Sequence, residues 1–125
     1  MPLPTMPPYN ATMHAVIGIT ETLNLELRKV APGVGATVLC PGLVATPLSV
    51  NSATLQPVGT ETVVHKGGVD MSSFGLSLGE ILTPEVVADA ALAAIESDQV
   101  HVVPNKGIVP MVRARVESLL AVLPN

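Results

Sequence analysis

The chain has 125 residues, of which 48% are apolar and 13% charged, and it carries 10 Gly and 12 Pro. This length and composition fit one folded domain and exclude a disordered or collagen-like chain. Six basic against ten acidic residues, with one Tyr, one Phe and no Trp, argue against a nucleic-acid surface.

The first third of the chain predicts an extended lead-in followed by a helix. Residues 1–8 contain four prolines, which disfavour helix at each preceding residue. Over residues 10–30, apolar side chains recur every three or four positions, the period of one helical face. That predicted apolar face comprises Val16, Ile19, Leu23, Leu27 and Val30. A second, polar face comprises Glu21, Asn24 and Arg28. Pro32 and Gly33 are expected to end the helix.

A short strand and a long irregular region follow. Residues 35–40 form an apolar run with β-branched members, which is typical of a parallel strand covered on both faces. Pro41 and Gly42 are expected to end this strand. Residues 48–82 are rich in Ser, Thr and Gly and show no sustained period, which predicts a functional lid or a disordered loop.

The last third predicts helix, strand and helix. Thr83 offers a capping hydroxyl, Pro84 suits the first helical position, and Glu85 places an acid in the first turn. Residues 100–103 predict a second strand, and the apolar spacing after Val109 predicts a closing helix with Pro110 in its first turn. This order is that of an α/β fold with a parallel sheet. Because two strands cannot fill a sheet between helical layers, we expect part of a larger domain.

The titratable residues give little sign of a metal or redox site. The single cysteine, Cys40, cannot form an intrachain disulfide, has no flanking base and reads as a small buried hydrophobe. His14, His65 and His101 lie far apart with no metal-ligand spacing, so no metal is expected. No apolar run approaches the roughly 18 residues of a membrane span. The start lacks the basic residues of a secretory signal, so a cytoplasmic location is expected.

Two segments at a suitable separation carry a family resemblance. The first runs from Tyr9 through Met13 to Val16 at the start of the predicted helix, and the second runs from Val38 through Pro41-Gly42 to Pro47. Together they resemble the C-terminal half of a short-chain dehydrogenase/reductase, in which Tyr-x-x-x-Lys opens a helix and Pro-Gly-x-Val-x-Thr follows the next strand. The resemblance covers nearly the whole chain. It implies the C-terminal half of a Rossmann-like, doubly wound parallel sheet.

The resemblance implies a role for Tyr9 as the acid/base. A free phenol has a pKa of about 10, so a nearby ammonium helps it exchange a proton at neutral pH. Residues four apart on a helix share one face, which explains the family's Tyr and Lys spacing. Met13 stands where that Lys would be, and its thioether carries no charge. Without the resemblance, Tyr9 reads as a helix-start residue with its hydroxyl in water.

The resemblance also implies a cofactor segment. Pro41, Gly42 and Val44 would flank the nicotinamide of NAD or NADP, and Thr46 would hydrogen-bond the cofactor's amide or phosphate. The carboxyl end of a strand is where open α/β sheets place ligands. Without the resemblance, the same segment reads as a plain strand-ending turn.

The implied organisation is one partial domain. Residues 1–8 are the lead-in, 9–47 carry the Tyr helix, strand and turn, 48–82 shape the substrate pocket, and 83–125 form the rest. The 125 residues contain no Gly-rich strand-to-helix turn for a pyrophosphate, so we expect a truncated alcohol/ketone oxidoreductase homologue that is inactive as an isolated chain. The alternative is a non-catalytic interaction or oligomerisation module derived from that fold. In either case we expect self-association, or pairing with a full-length relative, through the 10–30 helix and the 35–40 strand edge, and no nucleic acid, membrane or metal partner.

Overall fold

A computed structural model describes residues 2–48, 51, 72 and 79–124 of the chain. The elements in chain order are α1 (Pro7–Val30), β1 (Val38–Leu39), α2 (Pro84–Glu96), β2 (His101–Val102), a 3-10 turn (Lys106–Ile108) and α3 (Val109–Leu120). β1 and β2 pair in parallel, with Val38 opposite His101 and Leu39 opposite Val102. The predicted α/β class with a small parallel sheet is confirmed.

Both strands are shorter than the predicted 35–40 and 100–103. The N–H of Val38 donates to Val100 O at 2.7 Å, and that of Cys40 donates to Val102 O at 2.8 Å. Within the described residues, each strand has only the other as a ladder partner. The regular pairing is limited to the two residue pairs Val38–His101 and Leu39–Val102.

The lead-in is not extended over residues 1–8, and this expectation is corrected. α1 already begins at Pro7, because proline is well tolerated in the first turn of a helix. The Leu3 N–H donates to Asn10 Oδ1 at 2.8 Å, and Asn10 Nδ2 donates back to Leu3 O at 2.6 Å. Thr5 has a φ of 63°, so the chain turns there and folds back onto the helix.

The two later helices begin as their sequences predict. Thr83 is the N-cap of α2, its hydroxyl oxygen accepts from the Val86 N–H at 3.5 Å, and Pro84 occupies the first turn. Pro110 lies in the first turn of α3, where its missing N–H costs no intrahelical bond. These local signals are sufficient because capping depends only on residues within one turn.

The buried apolar core is small. Among the described residues it consists of Val38, Val87, Ala94, Val102 and Ile108. Its members come from the two strands, from one side of α2 and from the 3-10 turn. The strands, α2 and the 3-10 turn therefore supply the buried apolar core, and α1 packs against β1 without adding a residue to it.

α1 meets the rest of the chain through the face that carries Glu21, Asn24 and Arg28. Asn24, expected on the polar face, is 4% exposed, and its Oδ1 accepts from the Ala36 N–H at 3.2 Å. Glu21 and Arg28, from the same polar face, bond to His101 and Asp98. Most of the predicted apolar face is instead exposed, namely Val16, Ile19, Leu23 and Val30. The apolar residues do form a stripe along α1, but the helix contacts the rest of the chain through the polar residues beside that stripe.

Several expectations concern absences or lie outside the described residues. Most of the 48–82 loop falls outside them, and so does His65. No helix in the described ranges is long and apolar enough to cross a membrane. In the same ranges, no three His, Cys, Asp or Glu residues come together as a metal ion would need.

Candidate functional site

The segment after β1 is held in place by three neighbours. Cys40 donates to β2 as described, and the next N–H, from Gly42, donates to Asn105 Oδ1 at 2.6 Å. Farther along, Leu43 O accepts from the Leu82 N–H at 3.0 Å, and the Ala45 N–H donates to Leu82 O at 2.8 Å. Residues 41–46 are thus a fixed backbone segment at the carboxyl edge of the sheet, where the sequence places the cofactor residues.

Val44 lies at the centre of this segment and presents a free donor. It forms a parallel bridge with Leu82, in which the two flanking residues of the 41–46 segment supply the hydrogen-bonding groups. The Val44 backbone groups therefore point away from Leu82. The Val44 C=O accepts from the Thr46 N–H at 2.9 Å, while the Val44 N–H meets no acceptor among the described residues. An unpaired donor beside a half-buried side chain suits a ligand carbonyl.

Asn105 is a site residue that the sequence reasoning missed. It follows β2 and is fully buried at 0% exposure. Its Nδ2 donates to Leu43 O at 3.2 Å and to Glu80 O at 3.1 Å, in addition to the bond that its Oδ1 accepts from Gly42. The available signal was an Asn three residues after the end of β2, at the edge where ligands bind.

The position of Gly42 requires a residue without a side chain. A Cβ added to this residue would lie 2.9 Å from Asn105 Cγ and 3.2 Å from both Cβ and Nδ2 of the same side chain. Ordinary van der Waals contacts of a Cβ lie at 3.4–4 Å. Asn105 therefore packs directly beneath Gly42, and a glycine allows the Pro-Gly turn to lie on the buried amide.

α1 runs antiparallel to the strands, so the helix leads from its contacts with β1 and β2 towards Tyr9 in the direction of the carboxyl edge. Asn24 contacts Ala36, whereas Glu21, three residues earlier in the helix, contacts His101, which is level with Val38. Decreasing helix number thus corresponds to increasing strand number. With rises of about 1.5 Å per helical residue and about 3.3 Å per strand residue, the first turns of α1 project to and beyond the carboxyl edge.

Tyr9 and Met13 share one side of α1 but are not joined to the 41–46 segment. Tyr9 is 47% exposed and Met13 is 42% exposed. The Tyr9 C=O accepts from Thr12 Oγ1 at 2.8 Å. No hydrogen bond between described residues links Tyr9 to residues 41–46. No described contact therefore joins Tyr9 to the 41–46 segment, and nearly half of the Tyr9 side chain faces solvent.

Cys40 is half-buried beside the site. Burial raises the pKa of its thiol and outweighs the lowering effect of the N-terminal positive charge. A thiol with a raised pKa is protonated near neutral pH and is a poor nucleophile. This agrees with the sequence reading of Cys40 as a small hydrophobe.

The two described histidines are engaged in bonds between elements. His14 is hydrogen-bonded through Nδ1 to Asn10 O at 2.7 Å and through Nε2 to Arg115 Nη1 at 2.6 Å. Because an arginine can only donate, Nε2 is the acceptor and Nδ1 carries the proton. The contact ties α1 to α3. His101 bonds Glu21 at 2.7 Å and ties β2 to α1.

The fold defines a class of protein, an α/β unit with a fixed backbone segment at the carboxyl edge of a small parallel sheet. Comparison with known proteins makes the class specific. The chain is 27% identical over 103 residues to the 15-hydroxyprostaglandin dehydrogenase [NAD(+)] of Mus musculus, covering 81% of the chain and 36% of that protein. It is 27% identical over 101 residues to the same enzyme of Rattus norvegicus, with the same shares covered. It is 34% identical over 92 residues to the short-chain dehydrogenase virB of Hypocrea virens, covering 71% of the chain and 31% of that protein.

These matches show that the chain is a homologue of the short-chain dehydrogenase/reductase family over about 70–80% of its own length. The chain spans about a third of the length of these curated relatives. No family model and no solved structure matches it.

Proposed function

We propose that the chain carries the substrate-facing and nicotinamide-facing part of an NAD(P)-dependent oxidoreductase site for an alcohol or ketone. The observation that carries this proposal is the fixed 41–46 segment at the carboxyl edge of the sheet, in which the Val44 N–H has no acceptor among the described residues. The antiparallel course of α1 supports a position of Tyr9 near this edge. The homology supports the same class of reaction, because the rodent relatives are named as NAD(+)-dependent dehydrogenases of a hydroxy compound.

The residues present fit the nicotinamide end of the cofactor. The Val44 N–H is a donor without an acceptor among the described residues, and it follows a turn that Asn105 and Leu82 hold in place. Pro41 and Val44 would lie against the ring, and Thr46 would meet its amide or phosphate. When bound, the nicotinamide supplies or takes up the hydride. Tyr9 would give a proton to the substrate oxygen during reduction and take it back during oxidation.

The described helix starts do not fit the pyrophosphate of the same cofactor. α1 begins with two prolines, which supply no N–H donors to an anion. α2 begins with Pro84 and carries Glu85 in its first turn, where a negative charge repels phosphate. The 125 residues also contain no Gly-rich strand-to-helix turn. The isolated chain should therefore bind dinucleotides weakly and show no turnover by itself.

Isothermal titration tests the weak binding. Dissociation constants for NAD(H) and NADP(H) no better than millimolar are expected, and a micromolar constant for either would refute this part of the proposal. Amide NMR with millimolar nicotinamide mononucleotide tests the fit. Saturable shifts at Gly42, Val44 and Thr46 are expected, and their absence would refute the nicotinamide site.

Met13 and Tyr9 test the acid/base assignment. In a reaction supplemented with the nucleotide-binding segment of a short-chain dehydrogenase/reductase, Met13→Lys should raise turnover because it restores a cation one turn from the phenol. Tyr9→Phe should abolish turnover because the phenolic proton is lost. Equal turnover of wild type and both variants would show that Tyr9 is not catalytic.

The exposed stripe of α1 favours a second function, self-association. Val16 is 47% exposed, Leu23 is 45% exposed and both lie on the same side of the helix, seven residues apart. A continuous apolar stripe of this kind is typical of a protein interface. We expect dimers or larger species at micromolar concentration, formed by pairing of α1 with α1 of a second copy.

Sedimentation of matched variants tests the interface. Val16→Lys combined with Leu23→Lys should give a monomer, because two charges would be buried in the contact. Leu25→Lys is the control, since Leu25 is 65% exposed on a different side of α1. A monomeric wild type, or an equal effect of both changes, would contradict α1 pairing.

A further inference from the structure

Asn105 lies at a junction of three backbone segments. It follows β2, and its carboxamide contacts the Pro-Gly turn after β1 and the segment that leads into α2. The partners are Gly42, Leu43 and Glu80. These segments are separated by 25 to 63 residues in the chain from Asn105. A single buried side chain therefore joins distant parts of the fold at the carboxyl edge.

The Asn105 carboxamide forms no capping hydrogen bond with its own turn. Asn105 is the N-cap of the 3-10 turn, a position at which an asparagine usually accepts a hydrogen bond from its own turn. No such bond is formed here. Oδ1 faces an N–H and both bonds of Nδ2 face carbonyls, so the amide orientation is unambiguous and both of its donor hydrogens are used.

The surrounding backbone leaves no room for another arrangement. An added Cβ at Gly42 would press on the Asn105 side chain, as described. Two residues after Asn105, Gly107 packs against Gly79, which has a φ of 73°, and a Cβ added to Gly79 would lie 2.6 Å from Gly107 Cα. Asn105 is itself 0% exposed, so its carboxamide is removed from bulk solvent and is satisfied by the three backbone groups.

We infer that Asn105 is a positioning residue for the nicotinamide-facing segment. Its carboxamide fixes the turn at Gly42 and Leu43 against Glu80, and this contact sets the direction of the free Val44 N–H. The inference rests on the function proposed above for what the segment binds. The positioning concerns only the backbone of residues 42–45 and of the segment at Leu82. The protection of these backbone amides can be measured without a ligand.

Two variants separate the parts of this role. Asn105→Ala removes all three hydrogen bonds and leaves the Gly42 N–H buried and unpaired. Asn105→Asp keeps the shape and the acceptor for Gly42 but places a carboxylate oxygen against two carbonyls. Asn24→Ala is the matched control, because Asn24 is the other buried asparagine and bonds a backbone N–H at the opposite end of β1.

Amide hydrogen exchange tests the positioning without any ligand. Both Asn105 variants should accelerate exchange at Gly42 and Ala45 by at least about tenfold more than at amides of α2, which is the loss of about one buried hydrogen bond. Asn24→Ala should leave the exchange ratio between the 42–45 segment and α2 unchanged. Equal acceleration at all amides in the Asn105 variants would overturn the inference, since it would show a purely global effect on stability.

Titration with nicotinamide mononucleotide tests the consequence for binding. Where wild type shows saturable shifts at Val44, both Asn105 variants should weaken the affinity by about tenfold and Asn24→Ala by less than about twofold. Wild-type affinity in the Asn105 variants would overturn the role in binding. An absence of shifts in wild type would refute the proposed function, and the exchange experiment would still decide whether Asn105 positions the segment.

Discussion

Replacing Gly42 by alanine is expected to destabilise the fold through one identifiable contact. The new Cβ would lie 2.9 Å from Asn105 Cγ, at least about 0.5 Å closer than an ordinary contact. Asn105 cannot withdraw, because three hydrogen bonds hold it and it is fully buried. Overpacking of this kind costs about 1–3 kcal/mol. We expect a loss of about 2 kcal/mol, a factor of about 30 in the folded-to-unfolded ratio.

Gly33→Ala is the matched control. An added Cβ at Gly33 has no atom within 4 Å, and the residue does not have a positive φ. This change should be neutral or stabilise by about 0.4–1 kcal/mol, because it restricts only the unfolded chain. Urea unfolding followed by circular dichroism at one protein concentration measures both variants. Equal midpoints for Gly42→Ala and Gly33→Ala would refute the packing argument. In an Asn105→Ala background, Gly42→Ala should cost less, because Cγ and Nδ2 are gone.

Three further predictions concern α2 and Cys40. Thr83→Ala should destabilise the chain by about 0.5–2 kcal/mol in urea unfolding, because the Val86 N–H loses its capping acceptor; a loss below about 0.2 kcal/mol would contradict this. Hydrogen bonds from its own backbone N–H and from the Thr83 hydroxyl lower the pKa of Glu85 in the folded chain. The ionised Glu85 carboxylate therefore stabilises the fold fully above the ordinary carboxyl pKa, and this stabilisation is lost as the pH falls through the lowered pKa. The acid side of a helicity titration should therefore differ between wild type and Glu85→Gln, and identical curves would refute this. Because burial raises the pKa of the Cys40 thiol, iodoacetamide near neutral pH should modify the folded chain more slowly than the urea-unfolded chain, and equal rates would contradict the assignment.

The elements that could be predicted are those set by neighbours in the chain. The N-cap of α2 at Thr83, the position of Pro110 in α3 and the end of α1 near Pro32 all follow from groups within one turn of each other. The parallel pairing of β1 and β2 was also predictable, since a helix between two apolar runs favours a crossover connection. Local propensity and periodicity carry this information.

The face through which α1 docks could not be predicted. Its periodicity marks Val16 and Leu23 as a stripe but does not say whether another surface covers them. Asn24 is buried because the Ala36 N–H needs an acceptor where the helix meets β1. That need exists only after the helix has packed against the strand, so the sequence pattern did not show that the face with Asn24 is the one that docks.

The candidate site divides in the same way. The sequence by itself placed Gly42, Val44 and Thr46 after a strand, and the resemblance linked them to Tyr9. Only the tertiary structure revealed Asn105, because its partner Gly42 lies 63 residues away in the chain. The residues next to Gly42 in the sequence do not indicate its contact with Asn105, and those next to Asn105 do not indicate its contact with Gly42. A buried amide is assigned by which unpaired backbone groups converge on it, and that convergence is a property of the packed chain.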